Sequence, residues 1–436
     1  MSCSSTSTTT APRSHSAGLL LSPRFLRPAA MAYLAAMAVV WGYLFWLWLG
    51  GAQGRDREGT VLGPDFPLLY TGGWIVGHGQ AERLYDLQLQ QALQRQLLNS
   101  DVLSTYVYPP HWSLVGVPLS RLSYAQAFAL WTALMLSAVL LSLVLLRVPA
   151  PVLRGRDGWL IAGLALGAAP VYAALSAGQN SGLSLLLHSA MLVALVRRRD
   201  ALAGLLLALG MYKPQLFVAL LPLLLLERRW RCLGVWALGT GGLALISGLV
   251  HGFQSFDAWL ALLRSPLFQG EEVRQAGKYF SWQPFWIHLL GHTPLATGLA
   301  LSCMALTLLG LAWSWWRRRD DQALRYAVAI CALLLIGPHT PVYDLTLLLI
   351  PGLIISDRLA RQPAELRRPT QLTLLLLYVA LLFSLTPELR SALVITPLIA
   401  LLAWQAARLP STPAAAPAAT APARPMDPGQ ARAPML

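Results

Sequence analysis

Apolar runs about as long as a lipid bilayer is thick recur along this chain, divided by short polar stretches rich in arginine. A helix needs roughly 20 apolar residues to cross a membrane, within a range of about 17 to 25. By that measure the candidate spans are 29–49, 127–146, 158–175, 182–196, 232–250, 296–316, 322–337, 341–356, 371–386 and 391–407. The stretch 201–226 is also apolar, but it lies between Arg197-Arg198-Arg199 and Arg228-Arg229-Arg231, two clusters that both prefer the cytoplasm. A single crossing would put one of them outside. Its middle holds Tyr212-Lys213-Pro214-Gln215, where the proline removes a helix hydrogen bond and the lysine carries a charge. Two short crossings, or a re-entrant hairpin with Lys213 near the outer face, fit both facts. The pattern predicts an all-α polytopic membrane protein of about 12 crossings, with a broken hairpin and a long first outer loop.

The ends carry no such pattern. A Ser/Thr-rich head, 1–28, and a Pro/Ala-rich tail, 408–436, read as disordered cytoplasmic segments flanking a membrane domain at 29–407. The run 29–49 is too long and too rich in tryptophan for a cleaved signal sequence and reads as the first span.

Composition agrees with this reading. Hydrophobic residues make up 56% of the 436 and charged residues 12%, with a mean hydropathy of +0.54. Soluble domains carry about a quarter charged residues, so water cannot be the main solvent of this surface. The net charge of +14 comes from short clusters between apolar runs rather than from one patch, which argues for topology signals and against nucleic acid as a partner. With both termini in the cytoplasm, the inner side holds 23 of the 33 Lys and Arg residues. The outer side holds 10, against 11 acidic groups. The chain has 31 arginines and only two lysines, Lys213 and Lys278, and both fall outside. Cys3, Cys232, Cys303 and Cys331 show neither a disulfide framework nor a metal spacing.

The inner loops are short, so chemistry must use the outer loops and helix ends. Residues 50–126 form one outer loop, with a helical-looking segment at 81–99 and an apolar patch at 112–122 suited to the interface. A second, 251–294, carries Trp259, Trp282, Phe285 and Trp286, which suit the headgroup region. Five polar constellations land on this side: Gly63-Pro64-Asp65-Phe66, Tyr106-Val107-Tyr108-Pro109-Pro110, Gly178-Gln179-Asn180, Lys213-Pro214-Gln215, and Pro338-His339-Thr340-Pro341-Val342-Tyr343-Asp344. Taken singly, Asp65 reads as a helix cap and Gln179-Asn180 as turn chemistry. Their convergence at one membrane depth, where ionisable groups are costly, is what points to function.

In order, Asp65-Phe66, Leu84-Tyr85-Asp86, Tyr106-x-Tyr108-Pro109-Pro110, Gly178-Gln179-x-Ser181, Lys213-x-Gln215 and His339-x-x-x-Tyr343-Asp344 resemble glycosyltransferase family 87, over about residues 31–407. That family contains polyprenyl-phosphate-mannose-dependent α-mannosyltransferases of the C-type membrane superfamily. The resemblance implies transfer of a hexose, mannose first, from a polyprenyl-phosphate-linked donor to a glycan or lipid acceptor at the outer face. It implies a bacterial plasma membrane, with Asp65 as general base in a direct displacement with inversion. The leaving phosphate calls for a cation, Lys213 first and His339 next, in contact or in a positioning role. Gln179, Asn180, Tyr108, Tyr343 and Asp344 supply hydrogen bonds for phosphate or sugar. Membrane lipid is the other expected partner.

No glycine-rich loop follows a strand and no acidic pair has metal spacing, so neither a metal nor another cofactor is expected. Glu271, Glu272 and Lys278, in the second outer loop, match no family motif and are candidates for acceptor recognition. A transporter or lipid flippase is the competing reading, but transporters favour midplane sites and internal repeats.

Overall fold

The computed structural model describes residues 23–410 apart from 52–53, 100, 102, 267, 271–277 and 387–388. The head up to residue 22, most of the tail, and Glu271 and Glu272 therefore lie outside the described residues. Within them all regular structure is helical, and extended backbone pairs only at two isolated bridges, Arg55–Val61 and Tyr279–Pro341.

The first helix, α1 (Pro23–Leu49), begins six residues before the apolar run and rests few of its side chains on the protein. The loop that follows is largely helical. It contains α2 (Pro67–Gly77), α3 (Leu87–Leu98) and α4 (Ser113–Leu119). Asp86 starts α3 by accepting from Leu89 N at 3.1 Å, and Asn99 ends it in the left-handed conformation. The apolar patch at 112–122 is thus mostly α4, laid against α2. The two backbones meet at glycines, since a Cβ on Gly73 would sit 2.1 Å from the carbonyl carbon of Gly116.

A capping box, Ser123 with Gln126, opens α5 (Tyr124–Leu146) three residues before the expected span. The predicted span 158–175 is a bent pair, α6 (Gly158–Leu166) and α7 (Ala169–Ser176), turned by 48° just before Pro170. Next come α8 (Ser181–Val196) and three short pieces, α9 (Asp200–Leu209), α10 (Pro214–Phe217) and α11 (Leu221–Leu226), interrupted at Lys213-Pro214. Arg229 pairs with Asp200 at 2.8 Å, so the two ends of this interrupted stretch meet. The rest is α12 (Trp230–His251), α13 (Gln254–Arg264), α14 (Trp282–Leu290), α15 (Pro294–Arg317), α16 (Gln322–Ile336), α17 (Leu349–Leu359), α18 (Ala364–Leu382) and α19 (Ala392–Arg408).

By length and composition α1, α5, α12, α15 and α18 can cross a membrane, and the α6–α7 pair makes up to six. Large apolar side chains such as Val39, Leu238, Leu249 and Trp316 face outward. Lipid, not water, is the solvent that tolerates them. The expected span 341–356 is instead a 3₁₀ stretch, Val342–Leu348, followed by the eleven-residue α17. Hydropathy alone does not show that this apolar stretch opens in 3₁₀ form.

The centre of the bundle is α8 and α16, which are buried along nearly their whole length. At 1.5 Å per residue, α8 is about 24 Å long and separates two polar ends. At the Arg197 end, Arg229 pairs with Glu227 and Asp200, Arg325 with Glu227, and Arg358 with Asp321 and Asp357. Asp357 also accepts from Val152 N at 2.8 Å. At the Ser181 end stand the five polar constellations.

Candidate functional site

A tight turn links α7 to α8. Gly178 adopts φ +73, and a Cβ there would come within 2.7 Å of Phe66 Cβ. Only glycine takes this backbone shape without strain, and it leaves room for the first outer loop to come close. That loop docks on the turn through Asp65 N, which donates to Ala177 O at 3.0 Å. Trp131 Nε1 donates to Gly178 O at 2.8 Å from α5. Asp65 and Gln179, 114 positions apart in sequence, are thereby held side by side, and Gln179 Nε2 donates to Asp65 Oδ2 at 2.8 Å. Tyr108 reaches the far side of Gln179, its hydroxyl 3.4 Å from Oε1.

Burial pushes the Asp65 carboxyl above the usual range for an aspartate. The Gln179 hydrogen bond and the charges of Lys213, Lys278 and His339 pull the other way and do not cancel it. This is the environment of a carboxylate whose basicity is raised while it stays within reach of cations. It faces a narrow cleft of about 10 Å³, lined also by Leu68, Leu69, Tyr108, Trp112, Trp131 and residues 178–180. That is room for about one water molecule. Asn180 Oδ1 and Trp112 Nε1 are buried without a hydrogen-bond partner among the described residues. An unpaired acceptor and donor beside aromatic walls suit the hydroxyls and apolar face of a sugar.

A second cluster adjoins the first. Asp344, fully buried, accepts from Lys213 Nζ at 2.8 Å and from Ser181 Oγ at 2.9 Å through the same oxygen, Oδ1. Its other oxygen, Oδ2, has no partner among the described residues. The Lys213 ammonium also lies 5.1 Å from the centre of the Tyr343 ring. Lys213 is therefore buried and already paired. His339 stands a little apart, its ring 4.5 Å from that of Tyr279.

The structure brings Asp65, Gln179, Asn180 and Tyr108 together in one cleft, and Lys213, Tyr343 and Asp344 in the cluster beside it. To Ser181 of the Gly178-Gln179-x-Ser181 motif it adds Ser184 and His188, which sequence reasoning did not single out. Ser181, Ser184 and His188 form a polar stripe at i, i+3, i+7 on α8. They hold the interrupted stretch: Ser181 through Asp344, Ser184 by a 2.7 Å bond to the Tyr212 hydroxyl, and His188 by stacking on Phe217 at 4.2 Å. That spacing in an otherwise apolar helix was the available signal. Lys278, expected to serve acceptor recognition, also bears on the site, because its charge acts on Asp65. Among the described residues no three His, Cys, Asp or Glu side chains gather to hold a metal ion. A wider groove, about 540 Å³, runs between residues 82–87 and α13, and its Tyr85 donates to Tyr108 O at 2.7 Å.

The fold and this cleft define an integral membrane protein with a polar, aromatic-walled site at one end of its helices. Residues 106–338 match the sequence profile of glycosyltransferase family 87, more than half of the chain, and the protein belongs to that family. No curated protein and no solved structure matches it. The match contains Tyr108, Gln179, Asn180 and Lys213, while Asp65 and Asp344 are joined to it by their contacts with Gln179 and Lys213. Family membership makes it a membrane glycosyltransferase and sets aside the transporter and flippase reading.

Proposed function

We propose that this glycosyltransferase moves a hexose, mannose on the family resemblance, from a polyprenyl-phosphate donor to an acceptor hydroxyl at the outer face of a bacterial plasma membrane. The observation that carries the reading is the Asp65 carboxylate, made more basic by burial, oriented by Gln179 and facing the cleft. The acceptor oxygen attacks the anomeric carbon as the bond from that carbon to the phosphate oxygen breaks. Asp65 takes the hydroxyl proton, and the polyprenyl phosphate departs with the bonding electrons. Attack opposite the leaving group inverts the anomeric centre.

Asn180, Tyr108 and Asp344 Oδ2, which has no partner among the described residues, hold sugar hydroxyls. The groove beside residues 82–87 is the natural bed for the acceptor, because it opens to solvent and its Tyr85 is hydrogen-bonded to the backbone of Tyr108, which lines the cleft. The ion-paired basic end lies a helix length from the site, which supports an outward-facing site with both termini in the cytoplasm. The meeting of Asp200 and Arg229 supports two short arms that turn at Lys213.

Purified protein in lipid, incubated with radiolabelled polyprenyl-phosphate-mannose and a membrane-lipid extract, tests the reading. Wild type is expected to move the label to a new product, and Asp65→Asn to do so at least ~100-fold more slowly. No transfer from this donor or from other polyprenyl-linked sugars would sink the proposed donor. Equal transfer by both proteins would remove Asp65 as the base.

A further inference from the structure

We propose that Lys278 is the cation that binds the donor's phosphate. The inference rests on the phosphate-linked donor argued above. A phosphate that gains charge as its bond to the sugar breaks needs a cation not already neutralised. Lys213 does not qualify, because its ammonium lies 2.8 Å from Asp344 Oδ1 and both side chains are buried. Lys278 is exposed and makes no ion pair with any described residue. It is the only other lysine in a chain with 31 arginines.

Backbone pairing fixes its position. Tyr279 bridges to Pro341 in antiparallel register, and Phe280 N donates to Thr340 O at 2.9 Å. That register sets Lys278 opposite Val342, next to Tyr343, whose ring meets the Lys213 ammonium. The same pairing brings the ring of Tyr279 to His339. Residues 279–280 are thus clamped to the segment that carries His339 and Asp344, and set Lys278, which pairs with no described residue, beside it. The charge of Lys278 is felt at Asp65, yet the two side chains do not pair. An in-line displacement requires this separation, because base and leaving group occupy opposite faces of the sugar. A lysine is well matched to a departing phosphate, since a compact charge with three donors on a flexible stem can follow it.

The test is direct binding, which needs no turnover. Wild type, Lys278→Gln and Lys278→Arg in lipid nanodiscs are titrated with farnesyl monophosphate and with farnesol. Wild type is expected to prefer the phosphate by at least about tenfold, the worth of one charge-assisted hydrogen bond. Lys278→Gln should lose that preference while binding farnesol as before, and Lys278→Arg should keep most of it. Unchanged preference in Lys278→Gln, or equal loss of both ligands, would overturn the proposal. Competition by millimolar inorganic phosphate that Lys278→Gln abolishes would support the site and show that a free phosphate suffices. A wild type that binds farnesyl phosphate through Lys278 but transfers no sugar would sink the proposed reaction and leave the phosphate site standing.

Discussion

The Asp65 carboxyl sits where two tendencies compete. Burial raises its pKa, and Gln179, Lys213, Lys278 and His339 lower it, with burial ahead; Tyr108 and Tyr343 also face it. A base whose pKa is raised loses its working, ionised form as pH falls through that raised value. The acidic limb of kcat/KM should therefore have its midpoint above the ordinary aspartate value of about 3.9. Lys278→Gln removes a charge that favours the anion and should move the midpoint further up; a purely structural Lys278 would leave it in place. A pH–rate profile of wild type and variant decides this. At this scale the sequence was informative about identity and silent about pairing. Asp65, Gln179, Lys213 and Asp344 each stood out as polar groups in apolar surroundings. Nothing in their order showed that Lys213 and Asp344 neutralise each other, since side chains 131 positions apart meet only through the fold. Lys278 stood out as one of two lysines, but no motif surrounded it.

Among the elements, the turn between α7 and α8 governs the site. Gly178→Ala would add a Cβ at positive φ, pressed against Phe66, and would push the Asp65 loop away from Gln179. The expected result is a fall in kcat of at least ~10-fold, because small misplacements of a positioned base are costly. Farnesyl monophosphate binding in the nanodisc titration should change little; a variant with unaltered kcat would show that the turn does not set the base. Long uninterrupted helices such as α5 and α15 were readable because a single period and a single solvent govern every residue in them. The helix α2 was not, being short, glycine-containing and surrounded by protein. In residues 341–356 hydropathy indicated an apolar helix but not its 3₁₀ opening, because the path that turns Asp344 toward Lys213 is set by tertiary contacts.

For the whole molecule, the separation of its two polar ends makes a testable statement about sidedness. In a cysteine-free background, Lys278→Cys should react with a membrane-impermeant maleimide in intact cells. Arg361→Cys, on an exposed side chain at the ion-paired end, should react only after permeabilisation. The reverse pattern would invert the proposed orientation. The arginine skew is the sequence signal that predicts this orientation, because cations resist translocation whatever the fold. It could not show that these arginines also knit the ends of α9, α12, α16 and α17 through carboxylates such as Glu227, shared by Arg229 and Arg325. The narrowness of the cleft has a consequence of its own. A glycosyl phosphate is an activated compound, and any stray water that reached its anomeric carbon would squander it by hydrolysis. A cleft that at rest has space for about one water molecule cannot hold a hexose, so its walls must part as the sugar enters and close on it, leaving little space for solvent. The loyalty of such an enzyme to its acceptor would then come from exclusion as much as from recognition, and its yield per donor consumed would be a property of wall-to-wall distance.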